Sequence, residues 1–313
     1  MPQSRVDDSV VYIDGPWTHR TVSANGSVFH VAECDGNGPL ILLLHGFGDF
    51  WWTWRKQLTD LASAGFRAIA VDLRGYGGSD KPPRGYDGYT LAADAAGLIR
   101  ALGAEDAYLI GHDWGGFIGW STAVLHPKSV RGLITLGAPH PLRLREALTT
   151  DRRQITASAN LFAFQLPRYE HVVTKNDAAY IRHVFTRWAG PRWRGTPEFD
   201  AHVAVCQQAM QIQQVAFCAM EYYRWAMRSL TRRSGWRFAK MMSTLITAPV
   251  LQIHGALDSC ILPNTARGAR KYAGRGLHYR ELQDIGHFPQ VEDPITVNDE
   301  IRSWLNLQEQ RTT

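Results

Sequence analysis

Three widely separated residues in a chain of 313 have types and settings that together make a nucleophile and its base. Asp113 stands in Gly111-His112-Asp113-Trp114-Gly115-Gly116. Before it, Asp106 to Ile110 reads as a short buried strand; after it, Phe117 to Leu125 reads as a helix. A side chain at such a sharp strand-to-helix turn is pushed out of the sheet, and the flanking glycines let the backbone turn without Cβ clashes. His287 lies in Gly286-His287-Phe288-Pro289, after the last expected strand and before the last helix, and Asp258 holds the equivalent turn after Leu251 to His254. A carboxylate, with a reference pKa of ~3.9, is ionised at neutral pH without a base and suits displacement at a saturated carbon. The resulting ester has its carbonyl on the enzyme, where His287, oriented by Asp258, activates water against it. The chain has no Gly-x-Ser-x-Gly, and Gly77-Gly78-Ser79 lacks that arrangement, so Asp113 is the nucleophile or there is none.

Hydrolysis of that ester needs donors for an oxyanion. His45-Gly46-Phe47-Gly48-Asp49 is a glycine-rich turn that offers the Phe47 N–H, and the Trp114 N–H, next to Asp113, is its expected partner. His45 is expected to hold this turn in shape rather than act as base, since His287 is better placed.

The elements that must position these groups follow from apolar patterning. Thr21 to Ser23 and Val28 to Ala32 suggest an opening hairpin. Pro39 to Leu44, Ala68 to Val71, Ala107 to Ile110 and Val130 to Leu136 are strand-like runs that alternate with helical patterns at Phe50 to Ala64, Leu91 to Leu102 and Trp114 to Leu125. Continuous apolar strands alternating with helices predict a mostly parallel sheet covered on both faces. The rhythm stops after residue 140 and resumes at Ala248 to Ile253, followed by a strand at Leu277 to Leu282 and a helix at Pro294 to Leu305. The organisation expected is therefore a core of residues 1–140 and 244–313, with a helical cap at 141–243 inserted after the sixth strand, its 200–230 stretch helical throughout.

Composition narrows the function classes. The excess of five positive charges is mild, and the basic residues around Arg143 to Arg153 and Arg224 to Arg237 form no dense run and accompany no nucleic-acid motif, which favours a solvated face. Cys34, Cys206, Cys218 and Cys260 lack metal-ligand spacing and are expected to be reduced and structural, so neither metal nor cofactor is called for. The polar N-terminus and the absence of any run able to span a bilayer lead to the expectation of a cytoplasmic protein without stable membrane insertion. Tyr and Trp in the cap suit a homodimer interface as well as a pocket.

From Pro39 to Leu305 the chain resembles the epoxide hydrolases and haloalkane dehalogenases of the α/β-hydrolase superfamily. The likeness rests on His45-Gly46-Phe47-Gly48, Asp72-Leu73-Arg74-Gly75-Tyr76-Gly77-Gly78-Ser79-Asp80, Gly111 to Gly116, and the Asp258 and His287 turns, in the chain order nucleophile, acid, histidine. It implies an α/β-hydrolase fold and a small apolar epoxide that reacts with water to give a diol. Epoxide opening leaves an alkoxide that needs a proton. The family takes that proton from lid tyrosines; Glu221-Tyr222-Tyr223-Arg224 resembles the lid motif, and the match points to Tyr223, although periodicity alone does not choose between Tyr222 and Tyr223.

Two positions depart from the pattern. Asn160, before Phe164-Gln165-Leu166-Pro167, stands where a second acid tyrosine is often found, with Tyr169 or His171 as substitutes; Gly48 stands where most relatives have proline. An His-Gly-Phe-Gly turn also occurs in an epoxide hydrolase subgroup with one lid tyrosine. A dehalogenase reading loses a halide donor at Phe47 but keeps Trp188, Trp193 and Trp225 as alternatives, while Trp114 stands where fluoroacetate-type dehalogenases carry arginine. A non-catalytic binder of the same shape is the third reading, disfavoured by an intact triad. Trp114, Phe162, Phe164, Leu166, Trp188 and Phe288 are the expected pocket lining.

Overall fold

The computed structural model describes residues 6–311. The opening hairpin pairs β1 (Thr18–Ala24) antiparallel with β2 (Ser27–Cys34). Its two turn residues, Asn25 and Gly26, have φ of 47° and 72°. Both being left-handed, they match the strand twist, and Asn-Gly is the pair that tolerates this. The apolar runs become β3 (Leu40–Leu44), β4 (Arg67–Val71), β5 (Ala107–His112), β6 (Val130–Leu136), β7 (Val250–Gly255) and β8 (Leu277–Leu282). The eight strands form one sheet in the order β1-β2-β4-β3-β5-β6-β7-β8, parallel from β4 onward. Every residue of β3, β5 and β7 is buried, as expected for parallel strands covered on both faces.

Helices α1 (Arg55–Ser63), α2 (Gly88–Ala101) and α3 (Trp114–Leu125) make the crossovers. The strand order reverses beside β3, so ligands are expected outside the carboxyl ends of β3 and β5. Between β6 and β7 the chain forms α4 (Pro141–Thr150), α5 (Arg152–Ala157), α6 (Asn160–Ala163), α7 (Tyr169–Trp188), α8 (Pro197–Met210), α9 (Val215–Ser229) and α10 (Arg233–Met241). After β7 come α11 (Pro263–Arg267), α12 (Pro289–Glu292) and α13 (Pro294–Gln310). This is the α/β-hydrolase fold.

One helical expectation needs correction. The stretch from 200 to 230 is not one helix: α8 ends at Met210, and Gln214 enters the left-handed region at φ 69° before α9 begins. Within α7, Asn176, Asp177 and Ala178 have φ of 51°, 54° and 54°, so Tyr169–Trp188 is two helical pieces joined by a left-handed link. The four cysteines are buried and unpaired among the described residues, and no helix there is long and apolar enough to cross a membrane.

The junction of β5 with α3 is packed backbone to backbone. A Cβ on Gly111 would collide with the Gly115 main chain, one on Gly115 with the Leu44 carbonyl of β3, and one on Gly116 with the Ala138 side chain. The glycines therefore set how closely α3 approaches the sheet. Gly115→Ala should lower unfolding free energy by ~3 kcal/mol or more, the scale of severe overpacking, and a urea melt measures it. An unchanged midpoint would show that the junction has slack.

Candidate active site

Asp113 sits between β5 and α3 at φ 49° and ψ −114°. A non-glycine residue there is strained, and the strain aims its carboxylate away from the sheet. Phe47 N–H donates to Asp113 Oδ1 at 2.9 Å. Asp113 Oδ2 lies 3.8 Å from His287 Nε2, close enough for charge attraction but too long for a hydrogen bond. Behind it, His287 Nδ1–H donates to Asp258 Oδ2 at 2.8 Å, and Asp258 Oδ1 accepts from the Cys260 and Ile261 N–H groups at 2.8 and 2.9 Å. The Asp113 side chain is 15% exposed, against 1% for His287 and 0% for Asp258, so of the three only Asp113 is open to a reactant.

The charges follow from these contacts. Burial would raise Asp113, but the His287 ring, His112 and the Phe47 N–H outweigh it and hold the carboxyl below its ordinary range. Burial likewise opposes charge on His287, yet Asp258 and Asp113 together raise it to about 10. His112 is brought down to about 4 by burial and by the His287 charge. Neutral, it donates Nε2–H to the His287 carbonyl at 2.8 Å.

The neighbouring turn takes the shape its glycines allow. His45 bridges it as expected, with Nδ1 2.8 Å from Gly46 O and the Leu73 N–H donating to Nε2 at 3.0 Å. Gly48 has φ 76°, which proline cannot adopt, so glycine here sets a turn of its own. Next to it, buried Asp49 accepts from His202 Nε2 at 3.3 Å and Cys206 Sγ at 3.5 Å, both on α8. These three side chains are close enough to share a cation. However, Arg55 Nη1 lies 3.2 Å from His202 Nδ1 and donates to it, so Nε2 carries the ring proton and points it at Asp49. The cluster is a tether between α8 and the Phe47 turn.

Residues of the helical insertion close over Asp113. The Tyr223 ring packs edge-on against Phe164, Trp114 and Phe47, with centroids 4.7, 5.1 and 5.3 Å apart. Burial, then the Asp113 charge, pushes the Tyr223 phenol well above its ordinary range, so it keeps its proton. Tyr222 points elsewhere: its hydroxyl donates to Arg74 O at 2.7 Å. Trp188 lies 5.2 Å from His287 and its carbonyl accepts the His287 N–H at 2.9 Å, while Phe288 stacks on Phe185 at 4.4 Å and backs the histidine.

Phe162 and Leu166, expected in the pocket, are 53% and 56% exposed. Helical residues two apart point about 200° from one another, so burying Phe164 at the end of α6 turns Phe162 outward, and Leu166 lies beyond the helix in the exposed turn that follows. Of the possible substitutes for Asn160, His171 is exposed, whereas Tyr169 packs on Phe164 at 5.6 Å. Trp225 packs on Phe117 and Phe238, and Trp193 lies behind Phe288, so neither takes a halide-donor position. Sequence reasoning gave no role to Glu292, whose carboxylate accepts from the Gly190, Gly286 and Phe288 N–H groups at 2.8, 2.8 and 3.0 Å and so shapes the His287 turn. The available signal was an acid at the end of a one-turn, proline-led helix just after the histidine.

A family model described as the alpha/beta hydrolase fold matches residues 39–294. Epoxide hydrolase 3 of Siraitia grosvenorii is 44% identical over 320 aligned residues, covering 92% of this chain and 98% of the relative. Epoxide hydrolase 4 of Mus musculus is 31% identical over 299 residues, covering 93% and 79%. Among solved structures, a Bacillus megaterium epoxide hydrolase in complex with an inhibitor superposes with a TM-score of 0.82 at 28% identity, over 92% of this chain and 100% of that one. An aspartate at the elbow, an Asp–His pair behind it and a buried tyrosine in front thus occur in a chain that belongs to the epoxide hydrolase family of α/β-hydrolases.

Proposed function

We propose that the protein hydrolyses an epoxide to a vicinal diol through an alkyl ester on Asp113. One observation carries this reading: a protonated, buried Tyr223 stands across an aromatic cluster from Asp113, the more open carboxylate of the Asp113, His287 and Asp258 group. An alkyl halide needs N–H donors for a departing anion, whereas an epoxide oxygen needs a proton, and a phenol supplies it.

The two Asp113 oxygens have different tasks. Oδ1 already accepts the Phe47 N–H, and the Trp114 N–H opens α3 beside it, so Oδ1 becomes the ester carbonyl in the oxyanion hole. Oδ2 attacks a ring carbon; the C–O bond breaks and its electron pair takes the Tyr223 proton. Water then loses a proton to His287 and adds to the ester carbonyl. Collapse breaks the ester C–O bond, the departing alkoxide takes the proton of the new carboxyl group, and the diol leaves Asp113 as a carboxylate with His287 protonated again.

His287 becomes a base only after the first step. In the free enzyme burial is outweighed by Asp258 and Asp113, and the ring is protonated. Esterification removes the Asp113 charge, the His287 pKa falls, the ring gives its proton up to the Tyr223 phenolate, and the neutral ring accepts the proton of water. Asp113 thereby turns on the group that will release it. The insertion acts as a cap: Phe164, Trp188 and Tyr223 supply an apolar wall and the acid.

His287→Gln removes the base and should leave the ester standing. Incubation with an aryl epoxide should raise the intact mass by the mass of the epoxide, with the adduct on Asp113, while a chloroalkane should leave it unchanged. An adduct with the chloroalkane and none with the epoxide would reverse the assignment. Tyr223→Phe should slow ring opening by ~10²-fold in stopped-flow measurements. A rate equal to that of the wild type would take the acid role from Tyr223.

A further inference from the structure

From Tyr222 to Leu257 the chain contains no aspartate or glutamate, yet it carries Arg224, Arg228, Arg232, Arg233, Arg237 and Lys240. In the fold the later four collect on and beside α10. That helix is held by Phe238, whose ring packs on Tyr89, Trp225 and Phe117 at 5.3, 5.3 and 5.9 Å. At about 100° per residue, Trp236, Lys240, Arg233, Arg237 and Met241 share an arc of about 140° on the side away from Phe238 and Met242. All five are exposed.

This face is not only charged. Trp236 is 55% exposed, Met241 44%, and Leu230 and Leu245 on the flanking turns 40% and 55%. The Trp236 indole N–H is already spent on Leu230 O at 2.8 Å, so its ring is presented as apolar surface. Among the described residues Arg232, Arg233, Arg237 and Lys240 form no ion pair with a carboxylate, unlike Arg224 and Arg228, which both bind Glu221. A merely solvated face has no use for four such apolar side chains among uncompensated cations. A surface that takes both is the headgroup region of an anionic bilayer, where cations meet lipid phosphates and Trp, Met and Leu enter the acyl boundary.

We infer that the α10 face docks the protein peripherally on anionic lipid bilayers. The chemistry recognised is a negatively charged headgroup layer over hydrocarbon. Each near-surface cation is worth about five-fold in partitioning.

The test is co-sedimentation of the full chain with unilamellar vesicles of phosphatidylcholine alone or with one quarter phosphatidylglycerol. At least ~10-fold stronger partitioning onto the anionic vesicles is expected, reversed by 0.5 M salt on the order of the screening that removes surface attraction. The double variant Arg237→Glu, Lys240→Glu should lose at least ~20-fold of it, and Trp236→Ala several-fold, with thermal unfolding unchanged. Equal partitioning onto both vesicles, or wild-type binding by the double variant, overturns the inference. It is also overturned if vesicles are ignored while the same variant abolishes a dimer in analytical ultracentrifugation or binding to a DNA duplex.

Discussion

The site depends on one strained residue, Asp113 at φ 49°. An L-residue holds such a conformation at a cost of about 1–3 kcal/mol, which the surroundings must offset. They do so on both sides. The Asp113 N–H reaches back to Leu136 O on β6 at 3.1 Å, and Gly115 brings α3 onto the β3 carbonyl with no room for a side chain. With the backbone fixed, the carboxylate has a fixed direction, and the Phe47 N–H and His287 can be arranged around it.

The second constraint is that His287 is held from three directions. Asp258 sets its tautomer, His112 holds its carbonyl, and the Trp188 carbonyl takes its N–H. The last contact comes from the helical insertion, as does Glu292's bond to Gly190. Insertion and core therefore share the histidine turn, and the Asp49, His202 and Cys206 tether joins them again at the Phe47 turn. A displacement of the insertion would disturb Tyr223, His287 and the Phe47 N–H together.

Much of this was legible in the residues. Parallel strands buried on both faces leave continuous apolar runs, so β3, β6 and β8 emerge almost residue for residue, and the reactive groups lie just past strand ends. What the sequence hid depends on tertiary partners. Tyr222 and Tyr223 are adjacent and both buried, and only the Arg74 carbonyl separates the structural hydroxyl from the one near Asp113. Phe162 looked like a pocket residue because a one-turn helix gives too little periodicity to assign a face, and Leu166 lies in the turn beyond it, where no period applies. Asp49 and Arg55 are far in sequence from His202 and Cys206, so no local pattern joins the two halves of that group. Gly48 showed as a departure from proline, but its left-handed φ is visible only in the fold.

The central claim is that Asp113 forms the ester and that water attacks the enzyme's carbonyl, not the substrate. A single turnover in H₂¹⁸O, with enzyme in excess over an aryl epoxide, separates the two. Attack by Asp113 predicts a first-turnover diol free of ¹⁸O and a gain of one ¹⁸O in the peptide containing Asp113. Label in the diol and none in that peptide would mean that water opens the epoxide directly, and would contradict the account.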